Sequence, residues 1–320
     1  MDKTTQIKQC TIFCNGKINL SLNILGQKED GYHYIDSIMQ SIDLADKIKI
    51  TKQKDNLVNI VFKEWVKGKA KSGGQIKKTI NTIGKENTVK KVCDWVKKHK
   101  KDFGADIEVV KNLPIGGGLG GSSADAAGVL VGLDLLFGIF DSTKDLIKTS
   151  AIFGSDTKFA AEAFLSDLDT PFVARVGGTG EIVKPINSNA RFFCLAVMKA
   201  GDSVSAGAAF QQFDKIYPSK NLILSDNDKL IELLMQSNST RQQNNLDKIL
   251  AQINNALFVP ALSISDHISH TMDWLNKTNP LKTTMTGSGA CCIGFYKDKK
   301  SLTKAYNFLK KIESLWVKII

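Results

Sequence analysis

Arginine and proline are scarce in this sequence, long apolar runs are missing, and each shortage removes a class of protein. Three arginines (Arg175, Arg191, Arg241) stand among 320 residues whose net charge is +11. Arginine reads phosphates and base edges through a bidentate fork, so a charge carried almost wholly by lysine is a poor signature for a nucleic-acid reader. The excess is also local: Lys63 to Lys101 holds thirteen lysines against Glu64, Glu86 and Asp94, which accounts for +10 of it. The stretch reads as a solvated face, and nucleic acid is not an expected partner. No apolar run approaches the roughly 18 residues of a membrane span, and residues 1–6 carry no hydrophobic segment of signal-peptide type. The expectation is a soluble, cytoplasmic chain with no membrane partner. Six cysteines (10, 14, 93, 194, 291 and 292) lack the paired spacing of a metal site and read as reduced, mostly structural thiols. With only six prolines and 42% hydrophobic residues, the chain is of ordinary globular composition, and its length predicts two domains.

Glycine is abundant, and in one place it is concentrated. Asn112-Leu-Pro-Ile-Gly-Gly-Gly-Leu-Gly-Gly-Ser-Ser-Ala-Asp-Ala-Ala127 puts five glycines within six residues and then runs into a small-residue helix. Bare backbone lets successive NH groups converge, and a helix start adds unpaired donors and the positive end of a dipole. Such a loop is an anion cradle, and phosphate is the guest it fits. It lacks the Gly-Lys-Ser/Thr ending of a P-loop, so a lysine for the terminal phosphates must come from elsewhere in the chain. Gly116, Gly118 and Gly121 satisfy the dinucleotide-binding spacing. Asp141, however, precedes a helix start, where that fold wants its acid at the end of a second strand.

Ile18, Leu20, Leu22 and Ile24 alternate with polar residues, which predicts a half-buried strand with Lys17 and Asn19 on the opposite face. That face fits either phosphate and hydroxyl contacts or plain solvent. Gln27 to His33 reads as a turn presenting an aromatic and an imidazole, and Ile35, Ile38, Met39 and Ile42 show helix-like spacing. Phe62 to Gly84 reads as a mobile lysine-rich excursion. Val89, Val92, Cys93 and Val96 form a helical stripe, Ala105 to Val110 a strand feeding the glycine loop, and Thr143 to Phe153 a helix that ends at Gly154-Ser-Asp-Thr157. Phe192 to Met198 reads as a buried strand opening a second domain.

Pro114, Gly118-Leu119 and Ser122-Ser123-Ala124 resemble the phosphate-binding motif of the GHMP small-molecule kinases. Gly16-Lys-Ile-Asn-Leu-Ser-Leu22, Asp30-Gly-Tyr-His33 and Asp43-Leu-Ala-Asp46 resemble one subfamily, the 4-diphosphocytidyl-2-C-methyl-D-erythritol kinases. Met285-Thr-Gly-Ser-Gly-Ala290 is similar to the family's third motif. Departures are visible: Asn15-Gly16 stand where Pro-Ala is usual, Thr88 replaces a leucine, Lys158 a proline and Ala206 a threonine.

The resemblance, which covers nearly the whole chain, implies an α+β, two-domain GHMP kinase fold. Its N-terminal ATP-binding domain (1–190) would contain a left-handed βαβ unit, and its C-terminal domain (191–320) would be ferredoxin-like. It implies ATP-dependent phosphorylation of an alcohol, the 2-hydroxyl of a cytidine diphosphate derivative of methylerythritol, in non-mevalonate isoprenoid biosynthesis. Asp156 and Lys17 would be catalytic, with Asp169 a weaker alternative to Asp156. ATP would be held by Asn87, Lys111, Pro114, Gly116, Gly117, Gly118, Leu119, Gly120, Gly121, Ser122 and Ser123, and Mg²⁺ by the nucleotide with Ser123 as a candidate ligand. The acceptor would be held by Asn19, Tyr32, His33, Phe210, Gly287 and Ser288. A homodimer stays open, as do a GHMP kinase for another alcohol and a non-catalytic ATP- or nucleic-acid-binding member of the fold.

Overall fold

The computed structural model describes residues 7–67, 75–79, 87–166, 170–218, 224–237 and 242–320. Two compact units are interleaved along the chain. The first is Met1–Gly16, Leu44–Leu113 and Gly121–Leu165, and the second is Lys17–Asp43, Pro114–Gly120 and Ser166–Ile320. In chain order the elements up to the glycine loop are β1 (Gln9–Gln27), β2 (His33–Lys52), β3 (Val58–Lys67), β4 (Gln75–Thr79), α1 (Thr88–His99) and β5 (Ala105–Lys111). Then come α2 (Gly121–Phe137), α3 (Thr143–Ser150), α4 (Thr157–Leu165), β6 (Val173–Gly178), β7 (Ile182–Pro185) and β8 (Phe193–Lys199). The remainder is α5 (Ala206–Ile216), α6 (Asn227–Met235), α7 (Gln242–Gln252), β9 (Asn254–Asn255), α8 (Phe258–Leu262), α9 (His267–Asn276), β10 (Lys282–Met285), β11 (Cys292–Tyr296), α10 (Lys299–Leu309) and β12 (Leu315–Ile319).

In the first unit the strands run β4-β3-β5-β2-β1, with β3 parallel and β2 antiparallel to β5. Helix α2 is buried almost all round, from Ala124 to Leu133. Small residues let it approach the sheet: a Cβ on Gly128 would lie 2.1 Å from Cys14 Sγ and 2.8 Å from Ile48 Cδ1. Helix α1 packs on α2 with Val89, Val92, Cys93 and Val96 buried, the stripe its sequence predicts. Asn87 caps it, its side chain accepting from the Lys90 amide at 3.0 Å. Within the stretch expected to be a mobile lysine-rich excursion, β3 and β4 pair antiparallel, and residues 68–74 and 80–84 lie outside the described residues.

In the second unit β9 lies parallel to β1 over Ser21 and Leu22, β6 pairs with β2 over Ile35–Gln40, and β7 pairs with β6. A separate four-stranded antiparallel sheet has the order β10-β11-β8-β12. With α5 to α9 between β8 and β10, and α10 between β11 and β12, this is the split βαβ arrangement of a ferredoxin-like sheet. The helix-like spacing of Ile35 to Ile42 was misleading, since these residues belong to strand β2. Ser37 to Ile42 are all buried, so both faces carry inward side chains and the period of two is hidden.

All six cysteines are free thiols, and burial pushes Cys93 and Cys292 up to about 12, which keeps them protonated and unreactive. Among the described residues no helix is long and apolar enough to cross a membrane.

Candidate active site

In the second unit the polar face of β1 does not meet solvent. Lys17, Asn19, Ser21 and Asn23 are all buried, and each has a hydrogen-bond partner. The Lys17 ammonium donates to Asn19 Oδ1 at 2.7 Å and to the Gly118 carbonyl at 3.1 Å. The Lys17 amide also donates to the Leu119 carbonyl at 2.9 Å, so backbone and side chain both grip the glycine loop. Asn19 is the hub: its Oδ1 also accepts from the Gly287 amide at 2.9 Å, and its Nδ2 donates to Ser37 Oγ at 2.9 Å.

Loop residues 116–119 turn their carbonyls toward the protein. Gly116 O accepts from the Val204 amide and Gly117 O from the Cys291 amide. Among the described residues, no amide from Gly118 to Gly120 donates to a protein group. Backbone NH groups left in this way, with their carbonyls spent elsewhere, are what an anion needs. The third motif locks against the loop at a point no side chain could enter. A Cβ on Gly118, where φ is +75°, would lie 2.2 Å from Thr286 O, and one on Gly287 would lie 2.7 Å from Gly118 O. Pro114 stays beside this turn, a Cβ on Gly117 falling 2.8 Å from its Cγ, while Ser288 donates to Val204 O at 3.3 Å.

The same unit holds the rings expected for the acceptor. His33 stacks on Phe210 with centroids 4.7 Å apart and planes 18° from parallel, and Phe213 meets its edge at 6.2 Å. His33 Nε2 lies 2.8 Å from Asp214 Oδ1, a partner that nothing in the sequence marks out. Tyr32 is 63% exposed.

The first unit holds the helix half. Gly121, Ser122 and Ser123 form the first turn of α2, and among the described residues their amides donate to no protein group. The Ser122 carbonyl accepts from Thr88 Oγ1 at 2.8 Å. Gly154 sits between two hydroxyls: a Cβ there would be 3.0 Å from Thr157 Oγ1 and 3.4 Å from Ser123 Oγ. Thr157 Oγ1 is buried and has no hydrogen-bond partner among the described residues. Asp156 is half-buried, immediately before α4, and its carbonyl accepts the Ala160 amide. Asp169 lies outside the described residues.

Lys111, expected at the nucleotide, has its ammonium on two carboxylates, Asp46 Oδ2 and, at 2.6 Å, Asp125 Oδ2. In the sequence Asp46 lies within a family-like motif and Asp125 within the glycine-rich stretch, and neither carries a local signal of its partner. They come from β2 and α2, so only the fold unites them with β5. Burial pulls the Lys111 ammonium down, but Asp125 and Asp46 outweigh it and its pKa is raised. One ammonium cannot fully satisfy two buried acids, and burial pushes Asp125 up to about 7 despite the pull of Lys111.

Comparison with known proteins bears on the family. The GHMP kinases N terminal domain matches residues 87–163, and the GHMP kinases C terminal domain matches residues 222–313. A Prochlorococcus marinus protein named 4-diphosphocytidyl-2-C-methyl-D-erythritol kinase is 29% identical over 306 residues, covering 93% of this chain and 89% of its own. One of the same name from Thermoanaerobacter pseudethanolicus is 28% identical over 309 residues, covering 96% and 94%. Among solved structures, a 4-(cytidine 5'-diphospho)-2C-methyl-D-erythritol kinase superposes with a TM-score of 0.69 at 20% identity, covering 96% of this chain and 98% of its own. Homoserine kinase from Cytophaga hutchinsonii gives 0.67 at 15% identity, covering 100% and 96%. At these identities the structural likeness speaks for the fold alone. The two domain matches together span more than half of the sequence, and the chain belongs to the GHMP kinase family.

Proposed function

We infer that this chain transfers the γ-phosphoryl group of ATP to the 2-hydroxyl of 4-diphosphocytidyl-2-C-methyl-D-erythritol, a step of non-mevalonate isoprenoid biosynthesis. The observation that carries phosphoryl transfer is the buried Lys17 ammonium, 3.1 Å from Gly118 O, on a loop whose next amides have no protein acceptor. The acceptor is carried by the relatives of that name, whose alignments cover more than nine-tenths of this chain.

In the reaction the acceptor oxygen bonds to the γ-phosphorus, the bond to the β,γ-bridging oxygen breaks, and ADP leaves with that electron pair. The demands are positioning and charge stabilisation. Amides of the loop and of the α2 start would hold the phosphates, and Lys17 would neutralise charge on the transferred group. Asp156 would accept the hydroxyl proton or orient the hydroxyl. Among the described residues no three His, Cys, Asp or Glu side chains group as a metal site. A Mg²⁺ carried on the nucleotide would keep its waters and take few protein oxygens. Ser123, in the first turn of α2, would contribute a hydroxyl oxygen, and the ion would supply positive charge to the phosphates. Tyr32 and the His33–Phe210 pair would offer the cytosine its faces, with Asn19 and Gly287-Ser288 fixing the walls around Lys17.

The test is ADP release with ATP and this acceptor, set against homoserine and mevalonate, for the wild type and Asp156→Ala. Turnover confined to the cytidine diphosphate compound and reduced about 10²–10⁴-fold in the variant supports the reading. Turnover with another acceptor alone would replace the substrate, and a fully active variant would move the proton acceptor elsewhere.

A further inference from the structure

The glycine loop leaves the first unit at Leu113 and returns to it at Gly121, so its two attachment points belong to one body. They are also in contact. A Cβ on Gly121 would lie 3.2 Å from Leu113 Cβ, 3.4 Å from Lys111 Nζ and 3.7 Å from Asp46 Oδ2. Asp46, wholly buried on β2, spends both carboxylate oxygens here. Oδ1 accepts the Asn112 amide at 2.5 Å and the Leu113 amide at 2.8 Å, and Oδ2 accepts the Lys111 ammonium. That ammonium continues to Asp125, which stands in the second turn of α2, on the far side of the loop. The start of the loop is thus tied to Asp46 by three bonds, and its end is tied to the same point through Lys111 and Asp125.

We propose that Asp46 is a positioning residue for nucleotide binding: with Lys111 and Asp125 it clamps both ends of the glycine loop to one buried point, fixing the direction of the phosphate-binding amides. This rests on the reading of the loop as the phosphate cradle. The physical case is one of specificity. A buried ion cluster gives little net stability over apolar residues of equal volume, whereas its bonds are directional and satisfied in one arrangement only. Seven residues, four of them glycine, have little stiffness of their own, and the fixed ends add to the hold that Lys17, Val204 and Cys291 have on the middle of the loop. Asp125 Oδ1 is buried with no hydrogen-bond partner among the described residues, which marks the outer end of the clamp as the less saturated one.

The experiment compares wild type, Asp46→Ala, Asp46→Asn and Asp125→Asn by calorimetric ATP binding without acceptor, and by KM for ATP and for acceptor. Asparagine at 46 keeps an oxygen for the two amides and gives up the charge on Lys111; alanine gives up both. Asp46→Ala is expected to weaken ATP binding about tenfold or more with the acceptor KM within about twofold, and Asp46→Asn to recover part of the loss. A folded Asp46→Ala that binds ATP like the wild type, or raises both KM values alike, overturns the clamp. Should Asp46→Ala fail to fold by far-UV circular dichroism, Asp46→Asn and Asp125→Asn decide: a loss confined to ATP in either supports the clamp, and unchanged ATP binding in both refutes it. A wild type that binds no ATP overturns the cradle reading itself, a result distinct from a wild type that binds and variants that bind equally.

Discussion

Two lysines are buried to nearly the same depth, Lys17 on β1 in the second unit and Lys111 on β5 in the first, and their surroundings give them different work. Lys17 holds an amide oxygen and a carbonyl of the glycine loop itself. Lys111 holds two carboxylates below the attachment points of that loop, so its charge is cancelled where it stands. The lesson is that a lysine is assigned by the partners of its ammonium, since residue type and burial are shared. The proposed roles follow these partners: Lys17, which grips the glycine loop, would act on the phosphoryl group, and Lys111, held by Asp46 and Asp125, on the ends of that loop.

The largest effect would come from Lys17→Met, expected to lower kcat about 10²–10³-fold if, as proposed, Lys17 is the fixed cation at the transferring group. Rapid-quench turnover measures it, and equal kcat losses in Lys17→Met and Lys111→Met would erase the distinction. Lys111→Met should act on stability instead. It strands two buried carboxylates, for an expected loss of about 3–5 kcal/mol in urea unfolding. A loss below about 1 kcal/mol would mean the acids simply take up protons.

The smallest effect is in pH. Native Asp125 keeps its proton to about 7, while the unfolded chain releases it near the ordinary 3.8, so between those values the native state binds more protons. Its contribution to stability therefore falls as pH rises across that window and is flat above it. Lys111, shifted upward, matters only at alkaline pH. The stability of wild type relative to Asp125→Asn should decline from about pH 4 to pH 7 in thermal unfolding; a constant difference would mean that Asp125 is ionised throughout.

How far the sequence discloses all this depends on how local each signal is. The glycine loop, the α1 stripe and the alternation of β1 are contained in short windows, and they appear where their spacing puts them. Strand β2 was misread because burial on both faces removed its period, leaving Ile35, Ile38, Met39 and Ile42 to imitate a helix. The polar face of β1 was legible as a face, but its burial was not, since Ser37, Asn227 and Thr286, which satisfy it, come from distant segments. The Asp46–Lys111–Asp125 cluster was hidden for the same reason, and so was Asp214 beside His33, 181 residues away in sequence.

Strand β1 has one further consequence. From Lys17 to Ile24 every residue is buried, with polar and apolar side chains in strict alternation. Spacing along such a strand has a parity: inserting one residue just after Gly16, with the N-terminal register kept, would exchange the two faces and drive Lys17, Asn19, Ser21 and Asn23 into the apolar side, whereas inserting two would restore them. Tolerance to length change here should therefore go by odd and even, a property of the count of residues and not of their chemistry.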